Sequence, residues 1–317
     1  MLIKIQDKSL GVSAEDKAKF SRQDSLFSNY KEFVRKYQID KLQLVSELKE
    51  YAQLYREHIS ADIVEQNIDK NNAVDRLNVV IFSLETTTII PYMLYILRIV
   101  DSQHERQKIF RYLESFIIRR IITRAVNKNY NQLFTTNLIG NEINSAEKLQ
   151  THIDKLADKT NHMPDDSQLK FGFETSVITN RQARGILYLM EKTIRDDDSH
   201  ATALLGVESY SLEHLMPKKW QNNWNAPPSE DERNERNRLL LTLGNLTIIP
   251  GKLNSSIRDS DWETKKKGKG SLCGLDKYSS GIEILGKYLK LECWDEKNIR
   301  DRATDLFKIA AATVWQY

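Results

Sequence analysis

A glutamate directly precedes a histidine in the segment SLEHLMPKKW (Ser211–Trp220). Such a pair can do chemistry, because neutral imidazole accepts a proton near neutral pH and a carboxylate oxygen binds hard cations. A histidine beside a carboxylate is also a common solvated surface pair. The residues that follow decide whether Glu213 and His214 form a site.

Two asparagines follow the Glu-His pair at positions where short elements are expected. The segment YSLEHL predicts a strand, and LLLTLGNLTIIP (Leu239–Pro250) is a β-prone run with Asn245 at its Gly-Asn step. A short helix is expected next, and it contains Asn254. The order strand, loop, strand, helix therefore brings a carboxylate, an imidazole and two amides into one small element.

These residue types suit the hydrolysis of a phosphodiester. That reaction needs a base to deprotonate water and a cation to stabilise the pentacoordinate phosphate and the departing 3′ oxygen. His214 can serve as the base. One carboxylate and one amide oxygen form a small ligand set for Mg²⁺, which keeps several waters and takes substrate phosphate oxygens. The H…N…N spacing alone is a weak signal.

The block EHLMP, LGNLTIIPGKLNSSI and WETKK, in this order, resembles the C-terminal HNH (His-Me finger) nuclease region of a known family. The family comprises GmrSD-type modification-dependent (type IV) restriction endonucleases and SspE-like phage-defence nucleases. The resemblance extends to YLESFIIRRIITRAVNKNYNQLF, MPDDSQLKFGF and WDEKNIRDRATDLFKIAAATVW, and covers most of the chain from roughly Tyr30 onward. It implies a mainly α fold, in which a multi-helical N-terminal domain precedes a ββα-metal nuclease element with closing helices.

The resemblance also implies roles for the residues of the motif. His214 would be the general base that activates water, while Glu213 and Asn254 would be the metal ligands. Asn245 would brace the loop between the strands and hold the histidine in register rather than touch the metal. The alternatives without a catalytic role are a structural histidine for His214, a turn residue for Asn245 and a surface amide for Asn254.

Lysines follow the motif in the run KKKGKGS. Lys265 and Lys266 both align with a lysine that the family places after its motif, which could contact the scissile strand, and the sequence does not separate them. The run is expected to be mobile and to meet the DNA backbone, although a solvated loop would have the same composition. Residues expected to contact DNA phosphates are Lys252, Arg258, Lys267 and Lys269.

A cofactor and partners follow from the same resemblance. The cofactor would be a divalent metal ion, Mg²⁺ or alternatively Mn²⁺, and the substrate would be DNA, in particular modified phage DNA. The family's ParB-like nucleotide-hydrolysing domain is marked by an Asp-Gly-Gln-Gln-Arg-like motif, which does not occur in this sequence. We therefore expect sensing and nucleotide control in another domain or subunit. A homodimer is one way to cut both strands.

The predicted function is a metal-dependent DNA endonuclease that acts as the effector of a modification-dependent, phage-defence restriction system. Two alternatives stay open. The chain could be a non-catalytic, DNA-binding partner subunit of a nucleotide-hydrolysing sensor. It could also be an RNase that uses the same site.

The composition sets outer bounds on the protein class. The 317 residues are 40% hydrophobic and 29% charged, with 12 Gly and 6 Pro, which is typical of a helix-rich globular protein. A net charge of +3 is too small to identify a nucleic-acid binder, so a local patch would have to carry that role. Cys273 and Cys293 form no CxxC motif, which favours the reducing cytoplasm.

The organisation along the chain is predicted from pattern changes. The acidic segment RDDDSH (Arg195–His200) indicates a boundary between a helical domain, 1–200, and a nuclease domain, 201–317. The segment Thr86–Leu97 is too short to span a bilayer and is expected to be a buried helix, so no membrane partner is expected. Asn225–Arg238 is predicted to be a charged loop.

Overall fold

Helices dominate the fold of this protein. The structure is a computed structural model, and it describes residues 5, 8–20, 25–156, 161–196, 203–251, 253, 257–278 and 282–316. Within these residues, four short strands form two separate two-stranded antiparallel sheets. The predicted class, mainly α with a small β element, is confirmed.

The elements are numbered in chain order. The helices are α1 (Ala14–Phe20), α2 (Leu26–Lys36), α3 (Lys41–His58), α4 (Ala73–Ser83), α5 (Ile90–Ile99), α6 (Gln103–Ile122), α7 (Ala146–Lys155), α8 (Asp166–Thr175), α9 (Asn180–Ile194), α10 (Glu230–Leu239), α11 (Trp262–Lys267), α12 (Leu275–Tyr278), α13 (Glu283–Gly286) and α14 (Glu296–Ile309). The strands are β1 (Tyr210–His214), β2 (Leu246–Pro250), β3 (Gly268–Lys269) and β4 (Leu272–Cys273).

The chain divides into two compact units. The first unit contains Met1–Ser60, Thr86–Phe110 and Val126–His162. The second unit contains Ala61–Glu85, Arg111–Ala125 and Met163–Tyr317. This division differs from the predicted boundary near residue 200, where residues 197–200 lie outside the described part of the chain. Helices α8 and α9 precede that boundary, yet they belong to the same unit as the predicted site.

The first unit has an apolar core built by its N-terminal helices. Its buried side chains are Ile5, Val12, Phe20, Phe33, Ile39 and Leu44. The rings of Phe20 and Phe33 meet edge to face with centroids 5.4 Å apart, a favourable aromatic geometry. Helix α5 contains most of the apolar segment predicted to be buried, and Tyr92 and Ile96 on it are fully buried. No helix in the described residues is both long and apolar enough to cross a bilayer.

The second unit holds β1 and β2 between helices. The two strands pair antiparallel, with Tyr210 opposite Pro250 and His214 opposite Leu246. Four of the five β2 residues are fully buried, because helix α9 packs against both strands and apolar residues occupy consecutive positions of LTIIP. A continuous apolar run is what a strand covered on both faces requires. The strand predicted at YSLEHL is confirmed, whereas only Leu246–Pro250 of the β-prone run Leu239–Pro250 forms a strand.

Helix α14 closes this unit. Its N-cap, Asp295, accepts a hydrogen bond from the backbone N–H of Asn298, and the Asn298 side chain accepts from the N–H of Asp295 in return. Ile299 and Leu306 form its buried stripe, as the sequence predicts. The helix packs against α8 and against the turn that precedes β2. That turn supports the site described below.

The prediction of a charged loop at Asn225–Arg238 is wrong for most of that segment. Residues from Glu230 onward form α10, which begins at a capping box between Ser229 and Glu232. The Ser-x-x-Glu pattern satisfies two free backbone N–H groups at a helix start. Pro227 and Pro228 favour a loop, and this holds only for the residues before the N-cap Ser229.

The KKKGKGS run, expected to be mobile, lies in regular secondary structure. Its three leading lysines complete α11, and the run then turns through Gly268 and Gly270 into the short hairpin of β3 and β4. Both glycines have positive φ, +88° and +61°, a conformation that favours glycine. The glycines therefore serve a tight turn rather than a flexible linker.

Candidate active site

Glu213 and His214 lie at the end of β1, where the chain leaves the sheet. Glu213 pairs with Thr247 across the sheet and is buried, while His214 is only partly buried. Side chains alternate between the two faces of a strand, which accounts for the difference in burial. The imidazole is thus the more accessible of the two groups.

Lys265 holds the Glu213 carboxylate from inside the protein. Its Nζ donates to Glu213 Oε1 and to the backbone carbonyl of His214, the latter at 2.7 Å. The lysine side chain is fully buried and that of the glutamate is 7% exposed. Burial raises the pKa of Glu213 and lowers the pKa of Lys265, while the ion pair between them acts in the opposite direction on each. One ammonium thus anchors both members of the Glu-His pair.

The structure separates the two lysines that the sequence could not. Lys266 donates to the Leu291 carbonyl at 2.8 Å and pairs with Glu263 at 3.1 Å, so it points away from the Glu-His pair. Helix α11 fixes this difference, since its N-cap Asp261 bonds the N–H of Thr264 and successive helical residues face different directions. Of the two lysines, Lys265 is the one that contacts the Glu-His pair, and its complete burial does not fit the expected contact with the scissile strand.

Asn245 braces the bend that follows β1. Its Nδ2 donates to the carbonyls of Met216 at 2.8 Å and Leu240 at 3.1 Å. Its Oδ1 accepts the backbone N–H of Met216 at 2.8 Å and the indole N–H of Trp294 at 3.0 Å. All four hydrogen-bonding positions of this fully buried amide are filled, which leaves none for a metal ion. The contacts support the bracing role expected of Asn245.

Arg302 and Gly244 fix the turn that carries Asn245. The Arg302 Nη1 donates to the carbonyls of Leu243, Gly244 and Leu246 at 3.1, 2.9 and 2.7 Å. A Cβ on Gly244 would lie 2.2 Å from the carbonyl oxygen of Ile299, so only glycine allows α14 to approach so closely. Burial lowers the pKa of Arg302 to about 10, and no carboxylate among the described residues pairs with it.

Sequence reasoning missed Arg302 and Trp294 as supports of the site. A signal for Arg302 was available, because it lies three residues after Ile299 and four before Leu306, on the buried face of α14. A charged residue within an apolar stripe indicates a buried polar contact. Trp294 carried no comparable signal, since its partner lies 49 positions away.

The lysines expected to meet DNA differ in their surroundings. Lys267 and Lys269 are exposed on the end of α11 and on β3, and Lys267 pairs with Glu263 at 2.5 Å. Arg258 is exposed as well. Lys252 and Asn254 lie outside the described residues, so their predicted roles as a DNA contact and a metal ligand stay predictions.

The surroundings of His214 favour a neutral imidazole. Burial, together with the positive charges of Lys218 and Lys265, lowers the pKa of His214 to about 4. A neutral imidazole is the form that can accept a proton. The histidine is therefore in its neutral form at neutral pH.

This shift predicts a pH dependence of the metal-free protein. Between the ordinary pKa of 6.5 and about 4, unfolded His214 binds a proton that the folded protein excludes, so the free energy of unfolding falls as the pH falls through this range. The contribution lost is about 3 kcal/mol. Urea unfolding in EDTA at pH 7 and pH 4.5 measures it.

The matched variants are His214→Gln and His104→Gln, since His104 is exposed. Loss of stability on acidification should be smaller by about 2–3 kcal/mol in His214→Gln and unchanged in His104→Gln. Equal losses in all three proteins would show that His214 titrates normally in the folded state.

The donor set of this site suits a hard cation that keeps most of its waters. Within the described residues no group of three or more His, Cys, Asp or Glu side chains could hold a metal, which does not match a structural zinc site. A single carboxylate such as Glu213, with phosphate oxygens from a substrate, matches the way Mg²⁺ binds. Because Lys265 already pairs with this carboxylate, a divalent ion would share it or displace the ammonium.

The second unit is a helical domain that frames a two-stranded sheet and presents an imidazole beside a buried acid–lysine pair. Residues 163–309 match the family model for GmrSD restriction endonucleases, C-terminal domain. The match contains every predicted site residue and confirms the resemblance for this region, which is a nuclease-family domain. It covers less than half of the 317 residues. No curated protein matches the chain.

Proposed function

We propose that this protein is a metal-dependent DNA endonuclease of the HNH type. The observation that carries the proposal is the cluster of Lys265, Glu213 and His214 at the end of β1, inside the region that matches the restriction endonuclease family. A buried cation holds an acid next to an accessible, neutral imidazole. A merely structural histidine needs no such arrangement.

In this proposal His214 is the general base. Its imidazole takes a proton from a water molecule while the water oxygen attacks the phosphorus of the DNA backbone. The bond between phosphorus and the 3′ oxygen then breaks, and the 3′ oxygen leaves with a proton from solvent. Asn245 holds the bend at Met216 and so keeps the imidazole in register.

Glu213 and Asn254 are the proposed metal ligands. A bound Mg²⁺, or Mn²⁺, would stabilise the negative charge on the pentacoordinate phosphate and the leaving oxygen. Lys265 keeps Glu213 in position before the ion arrives. The biological setting we propose is a modification-dependent restriction system in which a separate nucleotide-hydrolysing domain or subunit detects modified phage DNA.

Conversion of supercoiled plasmid to nicked or linear forms tests the proposal. The purified protein should nick DNA with Mg²⁺ or Mn²⁺ and not with EDTA, and His214→Ala should abolish nicking. His104→Ala is the matched control, because that histidine is exposed and lies in the first unit. A parallel reaction on RNA identifies an RNase. Equal nicking by wild type and His214→Ala would show that His214 is not the general base.

A further inference from the structure

The loop that follows His214, residues 215–224, is fixed at its start. Both backbone polar groups of Met216 bond to the Asn245 side chain, and the N–H of Leu215 donates to the Asn245 carbonyl at 2.9 Å. Leu215 and Met216 are fully buried. The path of the chain beyond the site is therefore fixed at Leu215 and Met216. Lys218 follows two residues later.

The same loop is fixed at its far end. The Trp220 indole is buried, donates to Asn237 Oδ1 at 2.9 Å and packs under the Arg236 guanidinium at 4.7 Å. The Asn222 side chain donates to Asp259 Oδ2 at 2.6 Å, and the Trp224 indole donates to the Ser260 carbonyl at 3.1 Å. Between the buried Pro217 and the buried Trp220, the loop has two exposed residues, which we call its crown.

The crown carries two exposed lysines, Lys218 and Lys219. Within the described part of the chain no hydrogen bond or ion pair involves the Lys218 ammonium, whereas Lys265, Lys266 and Lys267 all have carboxylate partners. An uncompensated cation thus lies on an anchored loop, four residues beyond the accessible His214.

We propose that Lys218 binds a backbone phosphate of the DNA beside the phosphate that is cleaved, and so holds the scissile phosphate against His214. The inference rests on the proposed nuclease function and extends it to a substrate-positioning residue. A lysine on a fixed loop supplies a phosphate contact without sequence information. Lys219, next to it, extends the positive crown toward the neighbouring phosphate.

DNA binding in EDTA tests this inference without cleavage. The probe is a fluorescein-labelled duplex of about 20 base pairs, followed by anisotropy from 50 to 200 mM NaCl. Each phosphate contact contributes about 0.9 to the slope of log affinity against log salt. Lys218→Ala should lower that slope by about 0.9 and weaken binding about fivefold at the low-salt end. Lys218→Arg should retain the slope.

Lys297→Ala is the matched control, because it removes one exposed lysine from α14 and changes the net charge equally. It should leave the slope unchanged. The inference is overturned if Lys218→Ala binds like the wild type, if Lys297→Ala causes the same loss, or if the wild type does not bind DNA.

The two proposals fail in different ways. DNA binding that depends on Lys218, without plasmid cleavage in Mg²⁺ or Mn²⁺, would refute the nuclease function and leave the phosphate contact standing. Plasmid cleavage that depends on His214, with unchanged DNA binding and KM in Lys218→Ala, would refute the phosphate contact alone. A raised KM with little change in kcat is the kinetic result expected for Lys218→Ala.

Discussion

Replacing Lys265 by methionine is expected to lower the free energy of unfolding of the metal-free protein by about 3–5 kcal/mol. The substitution leaves the Glu213 carboxylate buried without its cation and the His214 carbonyl without its donor. A buried charge without a partner is far more costly than the loss of an exposed ion pair. Urea denaturation in EDTA at pH 8 measures the effect.

A double-mutant cycle separates the ion pair from other effects of the substitutions. Glu213→Gln alone leaves the Lys265 ammonium buried without an anion, while the double variant removes both charges. We expect a coupling energy of about 2–3 kcal/mol, so the double variant should be more stable than the two single losses predict. Additive losses would contradict a direct pair. The variant Lys267→Met is the control, because that lysine is exposed and its pair with Glu263 is solvated.

The pH dependence of Lys265→Met has a definite sign. Without the lysine, burial keeps the pKa of Glu213 above its unfolded value, so the unfolded state loses its proton first as the pH rises. In a His214→Gln background, which removes the opposite pH dependence of the histidine, the variant should therefore be least stable at high pH and should recover stability on acidification toward pH 5. Stability that declines steadily from pH 8 to pH 5, as in an ordinary acid transition, would contradict this interpretation.

Replacing Arg302 by methionine is expected to cost about 3–5 kcal/mol of unfolding free energy. Methionine can fill the space, but the carbonyls of Leu243, Gly244 and Leu246 would stay buried without their donor. A hydrophobic replacement of a buried ion pair can be neutral when both partners are removed. The partners of Arg302 are backbone carbonyls, which no substitution removes, so a hydrophobic replacement cannot be neutral here.

Arg302→Lys distinguishes charge from geometry. Lysine keeps the positive charge but cannot present two nitrogens to several carbonyls and the Ile284 carbonyl at once, so it should still lose at least about 2 kcal/mol. Arg300→Met is the control on the same helix, because Arg300 is half-exposed and pairs with Glu235 at the surface. It should cost less than about 1 kcal/mol. An Arg302→Met protein as stable as Arg300→Met would refute the supporting role.

Local patterns predicted the elements that carry the site. The segment YSLEHL and the second half of the β-prone run Leu239–Pro250 contain the two strands, and the Asp295 cap and the apolar stripe after it mark a helix where the sequence indicates one. Such signals succeed because they depend on residues a few positions apart. The helix α10 was missed, although its Ser229–Glu232 capping box is a local signal too.

The interior of the site could not be predicted, because it depends on contacts between distant residues. Lys265 and Lys266 are adjacent and identical, and only their directions on α11 decide that one reaches Glu213, 52 positions away. The four hydrogen bonds of Asn245 likewise join three separate segments. The resemblance named the residues, while the fold determines which atoms they meet.

The close approach of Gly244 to Ile299 limits how this domain can be divided. Helix α14 contacts the turn before β2 at Gly244, and its Arg302 donates to the carbonyls of that turn. A fragment that ends before residue 296 would therefore lose the helix that supports Asn245. The β1–β2 sheet with its connecting segment therefore cannot be transferred to another protein by itself. The shortest transferable segment has to extend through Ile309, where α14 and the family match both end.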